Sequence, residues 1–174
     1  QAARTATVAR CIANTTWQWD RVTFTLLHPQ ADHYGDGARK SNDLSCVLRI
    51  ETVAGAVLLT GDIEARSENE LLQRVPPLVA SDVLVVPHHG SRTSSTPAFI
   101  ASVSPALAVF AAGYRNRFGH PRDDVVARYR QTGAAPLRTD LQGAITMTLS
   151  PDRAVAAFGE REQHRRYWFD MPVD

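Results

Sequence analysis

Val83-Leu84-Val85-Val86-Pro87-His88-His89-Gly90-Ser91 is the stretch on which the fold turns. An unbroken apolar run stopped by proline reads as a strand buried on both faces, as in a parallel sheet. It delivers two histidines, a glycine and a serine to its carboxyl end. Upstream, Val57-Leu58-Leu59-Thr60-Gly61-Asp62 repeats the pattern and ends on a carboxylate. Downstream, an apolar run from Leu107 leads to a loop that closes on Phe118-Gly119-His120-Pro121. In open α/β sheets, ligands sit outside the carboxyl ends of the strands. Neighbouring strand ends would bring Asp62, His88, His89 and His120 to one place. A carboxylate with imidazoles is a donor set for divalent metal.

The rest of the chain alternates around these strands. Residues 1–16 lack clear periodicity. Val22, Phe24 and Leu26 alternate as in a half-buried strand ending at His28-Pro29. Residues 30–41 read as a polar, solvated loop, so His28, Asp32 and His33 are expected to be solvated rather than ligands. Ser45 to Ile50 and Val57 to Thr60 read as a hairpin about Ala54-Gly55. Ser67-Glu68-Asn69-Glu70 matches a capping box. It would open a helix through Leu71, Leu72 and Val75, stopped by Pro76-Pro77. Thr96 before Pro97 predicts a second helix start, with Phe99, Ile100 and Val103 inward. His120-Pro121 opens a third helix, with Asp123 and Asp124 in its positive first turn and Gly133 at its end. Short strands follow at Leu137 to Thr139, Ala144 to Leu149 and Ala154 to Phe158. The order β-β-β-α-β-α-β-α-β-β-β predicts the α/β class.

Composition sets outer limits. The chain has 174 residues, 44% of them hydrophobic and 21% charged, which suits one globular domain. A net charge of +1 gives no global attraction to nucleic acid, and Arg161, Arg165 and Arg166 read as a solvated tail. No apolar run approaches the ~20 residues of a membrane helix. The chain begins at Gln1 without a charged-then-apolar leader, and is expected to be a piece of something longer. Cys11 and Cys46 form no C-x-x-C, which disfavours zinc bound by cysteine. Two buried thiols and one disulfide both remain open. The second would imply an oxidising compartment.

The runs Leu58-Leu-Thr-Gly-Asp-Ile-Glu64, Ser81-Asp-Val-Leu-Val-Val-Pro-His-His-Gly-Ser91, Asn116-Arg-Phe-Gly-His-Pro121 and Arg138-Thr-Asp-Leu-Gln-Gly-Ala-Ile145 occur in that order. Together they resemble the C-terminal part of the metallo-β-lactamase-like domain of ComEC-type DNA-internalisation proteins, the membrane channels of natural competence. The similarity runs from about Cys11 to Leu149. It implies an αβ/βα sandwich, of which this chain supplies mainly the C-terminal half. Residues 1–174 would then be part of one domain, with 1–16 and 159–174 peripheral.

The resemblance also implies chemistry. Asp62 would bridge divalent ions, manganese or zinc, with His88 as a further ligand. His89 and His120 would be catalytic, although which of His88 and His89 ligates and which moves a proton stays open. Ser91, Ser94 and Asn116 would touch the substrate, single-stranded DNA. The activity implied is a nuclease that degrades the strand not taken up. Its place would be the extracytoplasmic face of the inner membrane, within a membrane-spanning channel protein.

This sequence departs from the superfamily's catalytic pattern. It contains no H-x-H-x-D-H, so a full two-metal site cannot be built from these residues. Asn42-Asp43 stands where a further histidine is expected, and only Asp43 offers a charged ligand. A non-catalytic module that binds DNA or braces the channel is therefore the alternative. A serine hydrolase at Ser91 is weak, because no G-x-S-x-G elbow is present.

Overall fold

A computed structural model describes residues 9–152 and 155–164. Ala154, Arg165 and Arg166, which the sequence reading used, lie outside the described residues. Seven strands form one mixed sheet in simple chain order: β1 (Thr16–Trp19), β2 (Val22–His28), β3 (Val47–Thr52), β4 (Gly55–Leu59), β5 (Val83–Val85), β6 (Leu107–Phe110) and β7 (Ala135–Arg138). β1 to β4 pair antiparallel, and β4 to β7 pair parallel. The parallel crossovers carry helices α1 (Ala65–Arg74) and α2 (Pro76–Val79), then α3 (Pro97–Val103), then α4 (Asp123–Gln131). Crossovers of one hand that always step in one direction lay their helices on one face of the sheet.

Register explains the core. Leu58, Leu84 and Ala108 are cross-strand partners, and all are fully buried. With Val86 and Phe110 they pack against Leu71, Phe99, Ile100, Val103, Val125, Val126 and Tyr129 of the helices. On the other face Val83 and Val109 are buried, whereas Val57, Leu59, Val85 and Leu107 are only half-buried. A small hairpin, β8 (Ile145–Leu149) with β9 (Val155–Gly159), stands apart from the main sheet. Short helices α5 (Thr139–Gln142) and α6 (Glu160–Gln163) flank it. No helix among the described residues is long and apolar enough to cross a membrane.

Several local readings need correction. The capping box at Ser67 does not form. α1 begins at Ala65, with Glu64 at its cap, so Ser67 and Glu70 lie inside the helix. Tertiary contacts claim those side chains instead. Ser67 donates to Asp43 Oδ1 at 3.2 Å, and Glu70 receives both Arg39 nitrogens at 3.1 and 2.8 Å. Residues 30–41 are not a solvated loop around their histidine. His33 is 9% exposed and His28 is fully buried, donating from Nε2 to the Asp43 carbonyl at 2.8 Å. The segment before Val22 holds a strand that the sequence reading missed. β1 joins β2 through Asp20 and Arg21, both at positive φ, as a type I′ hairpin turn requires. Cys11 and Cys46 are bridged, with Cα atoms 5.8 Å apart, inside the range a disulfide spans.

Candidate functional site at the carboxyl edge of the parallel strands

Strands β4, β5 and β6 run parallel, so the segments that leave them emerge on one edge. Thr60-Gly61-Asp62 follows β4. Gly61 turns the chain at φ +55°, where an added Cβ would lie 3.0 Å from Ser45 Cβ. Ser45 Oγ accepts the Asp62 amide at 3.1 Å and fixes the turn. After β5, His88 and His89 both take the left-handed conformation, at φ 49° and 55°. Such residues cost of order 1–3 kcal/mol each and persist only where the surroundings enforce them. Here the His88 amide donates to the Gly61 carbonyl at 3.0 Å, and the Gly90 carbonyl receives the Arg122 amide at 3.1 Å. The strand ends thus hold each other.

The sequence placed Asp62, His88, His89 and His120 together, and the geometry does so. His89 Nε2 lies 3.4 Å from Asp62 Oδ1. The ring centroids of His88 and His89 are 6.4 Å apart, and those of His88 and His120 5.9 Å. His89 Nδ1 lies 2.7 Å from the Ala111 carbonyl oxygen. A carbonyl only accepts, so Nδ1 carries a proton and Nε2 is the ring nitrogen turned toward Asp62. That second bond is what orients metal-binding imidazoles in general. His88 instead turns Nδ1 to Thr93 Oγ1 at 3.2 Å and Glu64 Oε1 at 3.5 Å.

His120 is gripped by Asn116. The Asn116 amide donates to the His120 carbonyl at 2.5 Å and accepts the His120 amide at 3.0 Å. His120 Nδ1 is buried without a partner among the described residues. Burial lowers its pKa, helped by the neighbouring charges of His88, Arg122 and His89, so the ring is neutral near pH 7.

The hydroxyls divide. Ser91 Oγ meets Thr93 Oγ1 at 3.1 Å, within reach of His88. Ser94 is 1% exposed and donates inward, to the Pro87 and Ser91 carbonyls at 2.9 and 3.1 Å. Asp43 is 5% exposed, and its carboxylate accepts from Ser67.

Glu64 escaped the sequence reading. Its carboxylate faces His88, Asn42 Nδ2 at 3.4 Å and Lys40 Nζ at 3.7 Å. The signal was a second carboxylate two positions beyond Asp62, but the chain leaves the strand at Gly61 and strand alternation no longer places it. Its place at the cap of α1 sets the carboxylate beside His88.

One further cluster combines His28, His33 and Glu70, whose donor atoms lie within 4.8 Å of one another. Its groups have other partners. Arg39 holds the Glu70 carboxylate, and the Gln30 amide donates to His33 Nδ1 at 3.3 Å. Burial lowers the pKa of both histidines.

The fold and site together define an α/β chain with a histidine–carboxylate cluster on the carboxyl edge of its parallel strands. Over 95% of its length it is 38% identical to the competence protein ComA of Neisseria gonorrhoeae. It is 39% identical to the ComE operon protein 3 of Bacillus subtilis over 70% of the chain, and 31% identical to Recombination protein 2 of Haemophilus influenzae over 82%. Its homologues thus include named competence proteins. The chain spans only 23%, 15% and 17% of those proteins, respectively. No family model matches it.

Proposed function

We propose that this chain is the C-terminal part of a metallo-β-lactamase-like domain within a competence protein, and that the complete domain cleaves phosphodiester bonds of single-stranded DNA. The observation that carries the reading is the Asp62–His89 pair. The carboxylate faces Nε2 of the imidazole at 3.4 Å, and the other ring nitrogen is tied to a backbone carbonyl. This donor set suits manganese or zinc. Asp62 and His89 would hold the metal, with Glu64 and His88 beside them. A bound divalent ion would supply Lewis acidity toward a phosphoryl oxygen.

The chain's own residues divide the remaining work. Asp62 and Glu64 concentrate negative charge at the edge, which draws cations and repels an uncompensated phosphate. His120, neutral near pH 7, would take up a proton at this edge. Asn116 fixes the His120 backbone as a positioning residue. Thr93 and Ser91 present hydroxyls next to His88, in reach of a phosphate oxygen. The half-buried second face of the sheet supports a missing half-sandwich. The Cys11–Cys46 bridge supports an extracytoplasmic location, because disulfides persist in oxidising compartments.

The test is manganese- or zinc-dependent cleavage of single-stranded DNA by the full-length protein. Asp62→Asn keeps the shape and removes the charge, so metal content and turnover should both collapse. His120→Ala should lower the rate about 10²–10⁴-fold, the usual worth of acid–base catalysis. Unchanged metal content and cleavage in Asp62→Asn would sink the proposal.

A second reading has its own support. Among the described residues, no third donor joins Asp62 and His89 within coordinating distance on this edge. A module without catalysis, which binds DNA or braces a channel, would leave wild-type full-length protein inactive with either metal. By the first reading the chain alone should bind divalent metal weakly and cleave little.

A further inference from the structure

Beside the histidines lies a hollow of about 220 Å³, lined by His89, Ala111, Ala112, Gly113, Asn116, Phe118 and His120. Its size is below that of cavities for drug-sized ligands, but it can take one planar ring. Its rim is aromatic. Phe118 is 60% exposed, an unusual setting for a phenyl ring in a loop. The ring lies nearly parallel to His120, with 16° between planes and 6.0 Å between centroids. The Arg117 guanidinium lies over the Phe118 ring, 4.9 Å from its centroid, and an incoming base would take its place on that face. An exposed flat ring beside a cation is how proteins hold unpaired bases on a charged backbone.

The walls connect this hollow to the site. His89 and His120 belong to both, so an occupant would lie next to whatever binds at Asp62 and His89. Apart from the two histidines, the one polar side chain in the lining makes no offer to an incoming ring. The Asn116 amide is engaged by Gly113 and His120 on every side. The Ala111 carbonyl is taken by His89. A pocket that presents a ring face and few open polar groups favours stacking over edge reading.

We infer that this hollow is a nucleobase pocket, in which Phe118 stacks one base of single-stranded DNA next to the phosphate group at the histidine edge. The inference rests on the DNA-cleaving reading above and adds how the strand is placed. Stacking is tolerant of sequence because every base has a π-face. The pocket therefore sets where the backbone lies and leaves base identity unread. Arg117 adds positive charge where the backbone passes.

The test uses the full-length protein and fluorescence anisotropy with two labelled oligonucleotides of equal length. One is oligo-dT, and the other carries abasic sites along its centre. Phe118→Ala should weaken oligo-dT binding about tenfold, within the usual range for loss of one stacked base. It should leave abasic binding unchanged, and Phe118→Trp should restore oligo-dT binding. Because Phe118 is largely exposed, its truncation removes no core packing. If wild type binds oligo-dT and the abasic strand alike, and Phe118→Ala changes neither, the pocket is refuted and the DNA reading stands. If Phe118→Ala weakens both strands equally, the ring acts through the loop and not through a base, and the pocket is again refuted. If wild type binds neither strand, the DNA reading falls and the pocket with it.

Discussion

Single residues at this edge carry loads that their type alone does not announce. Gly90 is one. Its φ is +81°, and an added Cβ would lie 2.8 Å from both Phe110 Cδ1 and Pro121 Cβ. Those neighbours belong to the core and to the loop that carries His120. Gly90→Ala should therefore cost about 1–3 kcal/mol, from backbone strain and crowding together. Urea unfolding measures the loss. A loss smaller than the error of the fit would mean that the loop yields at no cost. His28 and His33 make a second prediction at this scale. Burial lowers both pKa values below the ordinary 6.5, with Arg74 acting the same way on both and Arg39 on His33. Asp43, Glu70 and Asp32 oppose the shift in part. A histidine depressed in the folded state is protonated first in the unfolded chain. Its stabilising contribution is present above pH 6.5 and is lost as pH falls through 6.5 toward the folded values. The melting temperature should fall between pH 7.5 and 5.5. His28→Gln keeps a donor for the Asp43 carbonyl and removes one titrating group, so its melting temperature should depend less on pH.

Among elements, the contact that matters most is Glu68 of α1. It is fully buried, and its two oxygens accept the Ser95 and Thr96 amides at 2.5 and 2.8 Å. It thereby couples α1 to the start of α3 and to the hydroxyl-rich loop beneath His88. Burial raises its pKa, while the Thr96 and Ser95 bonds pull the other way. Glu68→Ala would leave two amides without acceptors. A loss of about 2 kcal/mol or more is expected from unsatisfied buried donors. Denaturant midpoints of wild type and variant decide it. The same element shows why part of the fold was illegible. Ser67-x-x-Glu70 satisfies the pattern of a capping box, but α1 had already begun at Ala65. Local pattern lost to tertiary partners, Asp43 for Ser67 and Arg39 for Glu70. β1 was illegible for another reason: Asp20-Arg21 makes a tight turn without the glycine that usually marks one. β4, β5 and β6 were legible because each is an unbroken apolar run, the pattern of a strand in the middle of a parallel sheet. The convergence of Asp62, His88, His89 and His120 followed, since parallel strands must deliver their ends to one edge. Glu64 did not follow, because its placement depends on where a helix starts.

At the scale of the whole molecule, the Cys11–Cys46 bridge joins the segment before β1 to the start of β3. Sequence separation is 35 residues, and the chain-entropy estimate for such a loop is about 3–4 kcal/mol of stability. Other contacts fasten the same segment: Tyr34 Oη donates to the Cys11 carbonyl at 2.9 Å, and the Ala13 amide to the Pro29 carbonyl at 2.7 Å. Cys46 is adjacent to Ser45, whose hydroxyl holds the Asp62 amide. Loosening Cys46 therefore loosens the support of the carboxylate proposed to hold the metal. Thiol titration of the unreduced, denatured chain should find no free thiol, and full reduction should release both. Reduction should lower the urea midpoint and speed hydrogen exchange at the Asp62 amide more than at Leu84 in the centre of the sheet. Two free thiols before reduction, in protein made under oxidising conditions, would remove the bridge from the account. Equal exchange at Asp62 in the two redox states would leave the bridge as a fastening of the terminus alone, without a part in shaping the site.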